Sequence, residues 1–277
     1  MAVVVVTDAS SRLPADLQEK WSIRVVPLHI LLDGHDLRDG VDDIPEDIYK
    51  QHATTAAATP AELADTYQQA LADSGGDGVV AVHISSALSG TCGAAQRTAA
   101  DLDPSVRVID SRSAAMSTGF VALAAARAAA AGADLDAVTE AASSAVSRSH
   151  AFVVVHRLDN LRRSGRIGGA TAWLGTALAL KPLLRIDDGK LVLAQRVRTV
   201  SHATAAMIDR VCEVVGEGSA ALAVHHVANP DGANEVAAAL AERLPNCEPA
   251  IVTALGPVLA LHVGAGAVAV CLELAAN

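Results

Sequence analysis

Aromatic side chains are scarce: two Phe, two Tyr and two Trp make up 2% of 277 residues. Any core or pocket must therefore be walled by Ala, Val, Leu and Ile, which suits an aliphatic guest better than a stacked ring. Positive charge is short as well. Lys and Arg total 21 against 31 Asp and Glu, a net charge of -10. Binding to a phosphate backbone needs clustered cations that release counterions, so a nucleic-acid partner is not expected. The four cysteines, Cys92, Cys212, Cys247 and Cys271, contain no C-x-x-C pair. That spacing suggests neither a zinc site nor a disulfide framework, and the residues read as small buried hydrophobes in a reducing compartment.

Long apolar runs are missing too. The most hydrophobic internal stretch, Phe120 to Ala131, is dominated by Ala and carries Arg127, whereas a spanning helix needs about 20 strongly apolar residues. The N-terminal run Val3 to Val6 has no basic flank and is too short for a signal peptide. These features predict a soluble, cytoplasmic protein without stable membrane insertion. No G-x-x-x-x-G-K-[ST] or G-x-S-x-G occurs, so neither a P-loop nor a nucleophile elbow is expected. G-x-G-x-x-A occurs at Gly76, Gly216 and Gly264, but each copy precedes a strand-like run. A dinucleotide site requires the glycines after a strand and before a helix.

What the chain has in quantity is apolar residues, 51%, and a length that favours two domains. In the first half, β-branched runs alternate with Ala-rich segments, the pattern of parallel α/β layers. Strands are predicted at 3–6, 23–32, 79–84, 106–110 and 151–155, and helices at 60–73, 90–101, 113–131 and 134–148. Pro45 after Asp43 predicts another helix start. This half closes as residues 1–156. Residues 157–277 read as a smaller mixed α/β domain. In it, Asp188-Gly189 between two alternating runs, 183–186 and 191–197, signals a hairpin. Helices at 170–180, 201–215 and 231–243 accompany strands at 220–227, 250–254 and 267–274.

The polar candidates stand out against this background. Ser85-Ser86-Ala87-Leu88-Ser89-Gly90-Thr91 directly follows the run Val79 to Ile84. A hydroxyl-rich turn between a strand and a helix offers side-chain hydroxyls and unpaired backbone N–H groups to an anion; the same pattern fits an ordinary N-cap. Thr55 and Thr59-Pro60 precede another helix. His83, inside an apolar strand, reads as a satisfied core residue. His225 and His226 point to opposite faces of a strand and are poorly placed to share a metal. His262 lies at a helix end beside a glycine turn.

Thr7-Asp8, Thr55 with Thr59-Pro60, Ser85 to Thr91, Val108 to Ser111, Ser164 to Ile167, Lys181-Pro182, Arg196 to Thr199 and His262 to Gly266 fall in the order seen in the DegV family. The chain resembles that family along nearly its whole length. The resemblance implies a two-domain α/β protein that buries a long-chain fatty acid and holds its carboxylate near the domain junction. It further implies presentation of that carboxylate to a separate ATP-dependent fatty acid kinase subunit, with no cofactor, metal or complete catalytic apparatus in this chain. Carried over by position, Thr55 and Ser89 become donors to the carboxylate, with Ser86 and the Gly90 backbone nearby and His262 completing the network. Arg198 faces the partner or the transferring phosphoryl group. Independently of the family, Arg166 and Arg198 fall in a basic stretch of an otherwise acidic chain, which reads either as a docking face for a partner or as a solvated loop.

The sequence departs from the family pattern at Ala56-Ala57-Ala58, at Cys92-Gly93, and at Val263 and Ala265. Two other classes stay open: an enzyme acting on a small metabolite, related to dihydroxyacetone kinase, and a serine hydrolase using Ser89, His262 and Asp8 or Asp110.

Overall fold

The computed structural model describes residues 2–167 and 181–276. The helix expected at 170–180 lies outside them. Two compact units emerge, one formed by Met1–Ile44 and Ala53–Ser149, the other by Pro45–His52 and His150–Asn277.

The first unit is built on a parallel sheet. Its strands are β1 (Val4–Asp8), β2 (Arg24–Val26), β6 (Val79–His83) and β7 (Val106–Asp110), in the order β2-β1-β6-β7. All five residues of β6 are buried, so both faces of the sheet are covered, which is why this strand reads as one unbroken apolar run. Helices α2 (Pro60–Ser74) and α3 (Thr91–Leu102) pack together, as do α4 (Met116–Ala130) and α5 (Leu135–Arg148), and both pairs lie on the sheet. A short helix α1 (Ala15–Lys20) precedes β2. Helix α2 starts where its sequence dictates: Thr59 and Glu62 form a reciprocal capping box, with Pro60 in the first turn.

The single strand expected at 23–32 is two. β2 ends at Val26, and after Pro27-Leu28 the chain re-forms as β3 (His29–Leu32) in a separate antiparallel sheet with β4 (His35–Arg38) and β5 (Thr54–Ala56). Pro27 has no N–H for a ladder, so the apolar run cannot continue as one strand. The helix expected at Pro45 is likewise absent; only a 3-10 turn at Ile48–Lys50 forms. That turn packs within the second unit against α9 (Pro257–Val263), with Ile48 1% exposed. Its stability comes from this docking and not from helix propensity.

In the second unit a mixed sheet runs β10-β9-β8-β13-β11-β12. Its strands are β8 (Ser149–Val154), β9 (Leu183–Asp187), β10 (Lys190–Gln195), β11 (Ala220–His226), β12 (Ile251–Ala254) and β13 (Val268–Leu274). Strand β8, which the sequence pattern groups with the first half, pairs antiparallel with β9. The expected hairpin forms between β9 and β10, with Asp188 and Gly189 both at positive φ, 48° and 76°. This is the backbone that a two-residue primed turn requires. Helices α7 (Val200–Val215) and α8 (Pro230–Arg243) bury Met207, Val211, Val236 and Leu240 against Leu222, Val224, Val270 and Leu272. Helix α6 (Asp159–Ser164) packs against α9. Among the described residues, no helix is long and apolar enough to cross a membrane.

Candidate functional site

Strand order in the parallel sheet reverses between β1 and β6. In open α/β sheets, ligands bind outside the carboxyl ends of the strands at such a switch point. The residues leaving β1 are Asp8, Ala9 and Ser10, and those leaving β6 are His83, Ile84 and the turn Ser85 to Thr91, which opens α3.

Beneath the turn lies a buried polar chain. The Asp8 carboxylate accepts from the amides of Ser10 (3.0 Å) and Ile84 (2.9 Å), from Ser10 Oγ (2.5 Å), and it meets His83 Nδ1 at 3.0 Å. His83 Nε2 in turn meets the Tyr67 hydroxyl at 2.7 Å. All four side chains are completely buried. With two amides already donating to Asp8, the carboxylate acts as acceptor; His83 Nδ1 then carries the proton, and Tyr67 donates to Nε2. Burial, reinforced by the charge of Asp8, pushes the Tyr67 phenol far above its usual range, so it remains a donor. His83 is thus the satisfied core residue its apolar strand suggests.

The turn itself differs from expectation in one respect. Its backbone amides are mostly occupied: Ile84 donates to Asp8, Ser85 to the Ser113 carbonyl (2.8 Å) and Ser86 to Asp110 (3.2 Å). Ala87 donates to Ser85 Oγ, and Leu88 and Ser89 to the Ser85 carbonyl. Among the described residues, the Gly90 amide is the first along the turn that meets no acceptor. Ser89 Oγ accepts the Thr91 amide (3.3 Å) and shares a hydrogen bond with Thr91 Oγ1 (3.0 Å). When Thr91 donates that bond, the Ser89 proton is free for an incoming oxygen. Ser86 and Gly90 are exposed and Ser89 is half-buried. What the turn can offer an anion is therefore hydroxyls plus the Gly90 end of α3, not a row of open amides.

Thr55 sits in the middle of β5, half-buried, opposite Ile30 of β3. The segment after it is anchored through Glu62, whose Oε2 accepts from the Thr59 amide and hydroxyl and meets His29 Nε2 at 2.8 Å. His29 Nδ1 meets Asp36 at 2.7 Å. Burial disfavours the His29 imidazolium, but hydrogen bonds to Glu62 and Asp36 outweigh it and raise its pKa above 6.5.

The remaining candidates belong to the second unit. His262, at the end of α9, has its pKa pushed down to about 4 by burial and then by the charge of Arg166. Near neutral pH it is therefore a neutral imidazole. The turn beyond it closes tightly: a Cβ on Gly266 (φ +81°) would lie 2.3 Å from His156 Nδ1, and one on Gly264 would lie 3.2 Å from Asn160 Nδ2. Lys181 Nζ donates to the His156 carbonyl at 2.8 Å. Burial and Lys181 lower the His156 pKa. Arg198 is exposed between β10 and α7. The structure thus joins Ser86, Ser89 and Gly90 on one turn and brings the charge of Arg166 to bear on His262.

The acids considered for a serine hydrolase are engaged elsewhere. Asp8 is bonded to His83, and Asp110 accepts from the amides of Ser86 and Arg112. His225 is buried and bonded to Thr253 Oγ1 at 3.0 Å, while His226 is half-buried. Among the described residues, no group of His, Cys, Asp and Glu is arranged to hold a metal. Cys92, fully buried, has its thiol pushed up to about 12, chiefly by desolvation, which makes it a poor nucleophile.

Sequence reasoning missed Tyr67 and Ser113. Ser113 Oγ and Thr7 Oγ1 are buried without a partner among the described residues. No periodic signal marks them. The one available clue was Asp8, an acid ending an apolar strand, since a carboxylate there requires donors from its surroundings.

Comparison with known proteins adds a family. The DegV family model, described as an uncharacterised protein family, matches residues 2–275. A DegV domain-containing protein of Mycobacterium tuberculosis is 77% identical over 277 residues, spanning 100% of this chain and 99% of its own. The fold matches a DegV family protein from Thermus thermophilus described by its fatty acid binding (30% identity, TM-score 0.92, 99% of this chain and 100% of that one). It also matches DegV of Bacillus subtilis, described as a fatty acid binding protein (26% identity, TM-score 0.90, 99% and 100%). With a family model covering the chain almost end to end and a relative this close, the chain belongs to the DegV family.

Proposed function

We propose that this protein binds one long-chain fatty acid in an apolar channel and acts in the cytoplasm. In this reading the carboxylate lies at the Ser85 to Thr91 turn and is presented to a separate ATP-dependent kinase subunit that forms acyl phosphate. Ser89, Ser86, Thr55 and the Gly90 amide serve as donors, with neutral His262 adding a further hydrogen bond. Arg198 and Arg166 face the kinase. The observation that carries the reading is the hydroxyl turn at the sheet's switch point, with the Gly90 amide and a Ser89 proton to spare. Fatty-acid binding by the Thermus and Bacillus relatives supports the ligand class.

The energetics are consistent with this. Each buried methylene contributes about 0.8 kcal/mol, so even half of a long tail gains about 6 kcal/mol. Desolvating the carboxylate costs several kcal/mol. Hydrogen bonds to a charged group return about 1.5–3 kcal/mol each. A few neutral donors therefore suffice, and no buried cation is needed. Native mass spectrometry of the purified protein, followed by denaturing extraction, is expected to release a fatty acid in about one equivalent. Thr55→Ala with Ser89→Ala is expected to lower occupancy; full retention of ligand would remove both from the site. Arg198→Ala is expected to spare occupancy and impair acyl-phosphate formation. Labelling of Ser89 by a fluorophosphonate would instead favour hydrolysis.

A further inference from the structure

We propose that Asp110 and Asp8 are positioning residues that hold the head-group turn from both sides without touching the ligand. This rests on reading Ser85 to Thr91 as the head-group site.

Three successive amides at the base of the turn are handed to acceptors at the carboxyl ends of the two strands that flank β6. Ile84 donates to Asp8 Oδ2 at the end of β1, at 2.9 Å. Ser85 donates to the Ser113 carbonyl at 2.8 Å, just past β7. Ser86 donates to both oxygens of Asp110, the last residue of β7, at 3.2 and 3.3 Å. Each carboxylate also fastens its own strand's exit. Asp8 Oδ1 accepts from the amide and hydroxyl of Ser10. Asp110 Oδ1 accepts from the amide of Arg112 at 2.8 Å, a residue held at φ 48°.

Beyond its strand ends a parallel sheet has no regular ladder, so a turn there is free to rotate unless other groups take over its amides. Here the Ser113 carbonyl takes the Ser85 amide, and two acids on the neighbouring strands take those of Ile84 and Ser86, one on each side. Once the amides of Ile84, Ser85 and Ser86 are fixed, the hydrogen bonds from Leu88 and Ser89 back to the Ser85 carbonyl set where Ser89 Oγ and the Gly90 amide stand. Both acids, candidates for hydrolytic catalysis on sequence alone, thereby acquire a different role. Pre-organisation of this kind is felt in affinity because a loose donor must be ordered at the moment of binding.

Asp110 gives the sharper test, because it is half-buried and on a loop margin, whereas Asp8 is fully buried and also bonded to His83. The delipidated full-length protein would be titrated with oleate, and amide exchange of the peptide covering residues 84–91 followed by mass spectrometry. Asp110→Ala is expected to bind oleate about tenfold more weakly, to exchange faster within the 84–91 peptide, and to stay folded with a melting temperature lowered by the loss of the Ser86 and Arg112 hydrogen bonds. Asp110→Asn retains an amide oxygen as acceptor and is expected to recover most of both losses. Oleate affinity within twofold of wild type in Asp110→Ala overturns the proposal, as does an Asp110→Asn variant as poor as the alanine. Should the wild-type protein itself take up no oleate, the fatty-acid reading fails separately. The exchange data then decide the positioning role alone, and unchanged exchange at 84–91 overturns it.

Discussion

Replacing Tyr67 by Phe removes a single oxygen from the interior of the first unit and leaves the ring's volume in place. Tyr67 is completely buried, and its hydroxyl donates to His83 Nε2 at 2.7 Å. His83 cannot turn its ring to compensate, because Nδ1 is committed to Asp8 at 3.0 Å and Asp8 is held by Ser10 and Ile84. The variant therefore strands an imidazole nitrogen away from water, which costs about 1–3 kcal/mol. No cavity term is added, unlike the roughly 3–5 kcal/mol expected for truncating a buried aromatic ring to Ala. For a protein of this size, that loss corresponds to a fall in melting temperature of about 2–6 °C. Urea denaturation followed by circular dichroism measures it directly. A Tyr67→Phe protein within about 0.3 kcal/mol of wild type would refute the proton assignment in the chain, and with it the account of why His83 is tolerated in an apolar strand.

Two histidines impose opposite pH slopes on stability. His29 has a raised folded pKa, so its contribution is fully present below 6.5 and is lost as pH rises through the folded value; His29→Gln should flatten the alkaline side of a denaturation–pH profile. His262, pushed down to about 4, contributes stability above 6.5 that disappears as pH falls towards 4, by about 3 kcal/mol. His262→Gln should remove that acid limb, and a limb that survives unchanged would show the imidazole is not protected from solvent. Gly266→Ala places a methyl against His156 at positive φ, so destabilisation of about 2 kcal/mol or more is expected in thermal melts. Partial recovery in the double variant with His156→Ala would identify the steric part.

Much of the fold was legible because local chemistry and tertiary structure agree there. The capping box at Thr59 and Glu62, the Asp188-Gly189 hairpin and the apolar run of β6 each have a signal that acts within a few residues. The break at Pro27 has a local signal too, the missing N–H, but the apolar residues on either side of it form one continuous run that looks like a single strand. Pro45 misled because its surroundings look like a helix start, while the docking of Ile48 against α9 makes a single 3-10 turn sufficient. At the candidate site, the hydroxyl turn was readable from its position after a strand and before a helix. Its internal bonding was not, because the acceptors Asp8, Ser113 and Asp110 come from strands separated from it by long stretches of chain.

By itself, the sequence determined an aliphatic, acidic, aromatic-poor α/β chain with a hydroxyl turn after a buried strand, since periodicity, turn chemistry and composition act locally. Only the tertiary structure decided which amides of that turn remain open, that Asp8 serves His83, and that His262 is neutral. Hydrogen-bond partners and desolvation depend on what distant segments bring to the same few ångströms, and no local pattern in the chain encodes that.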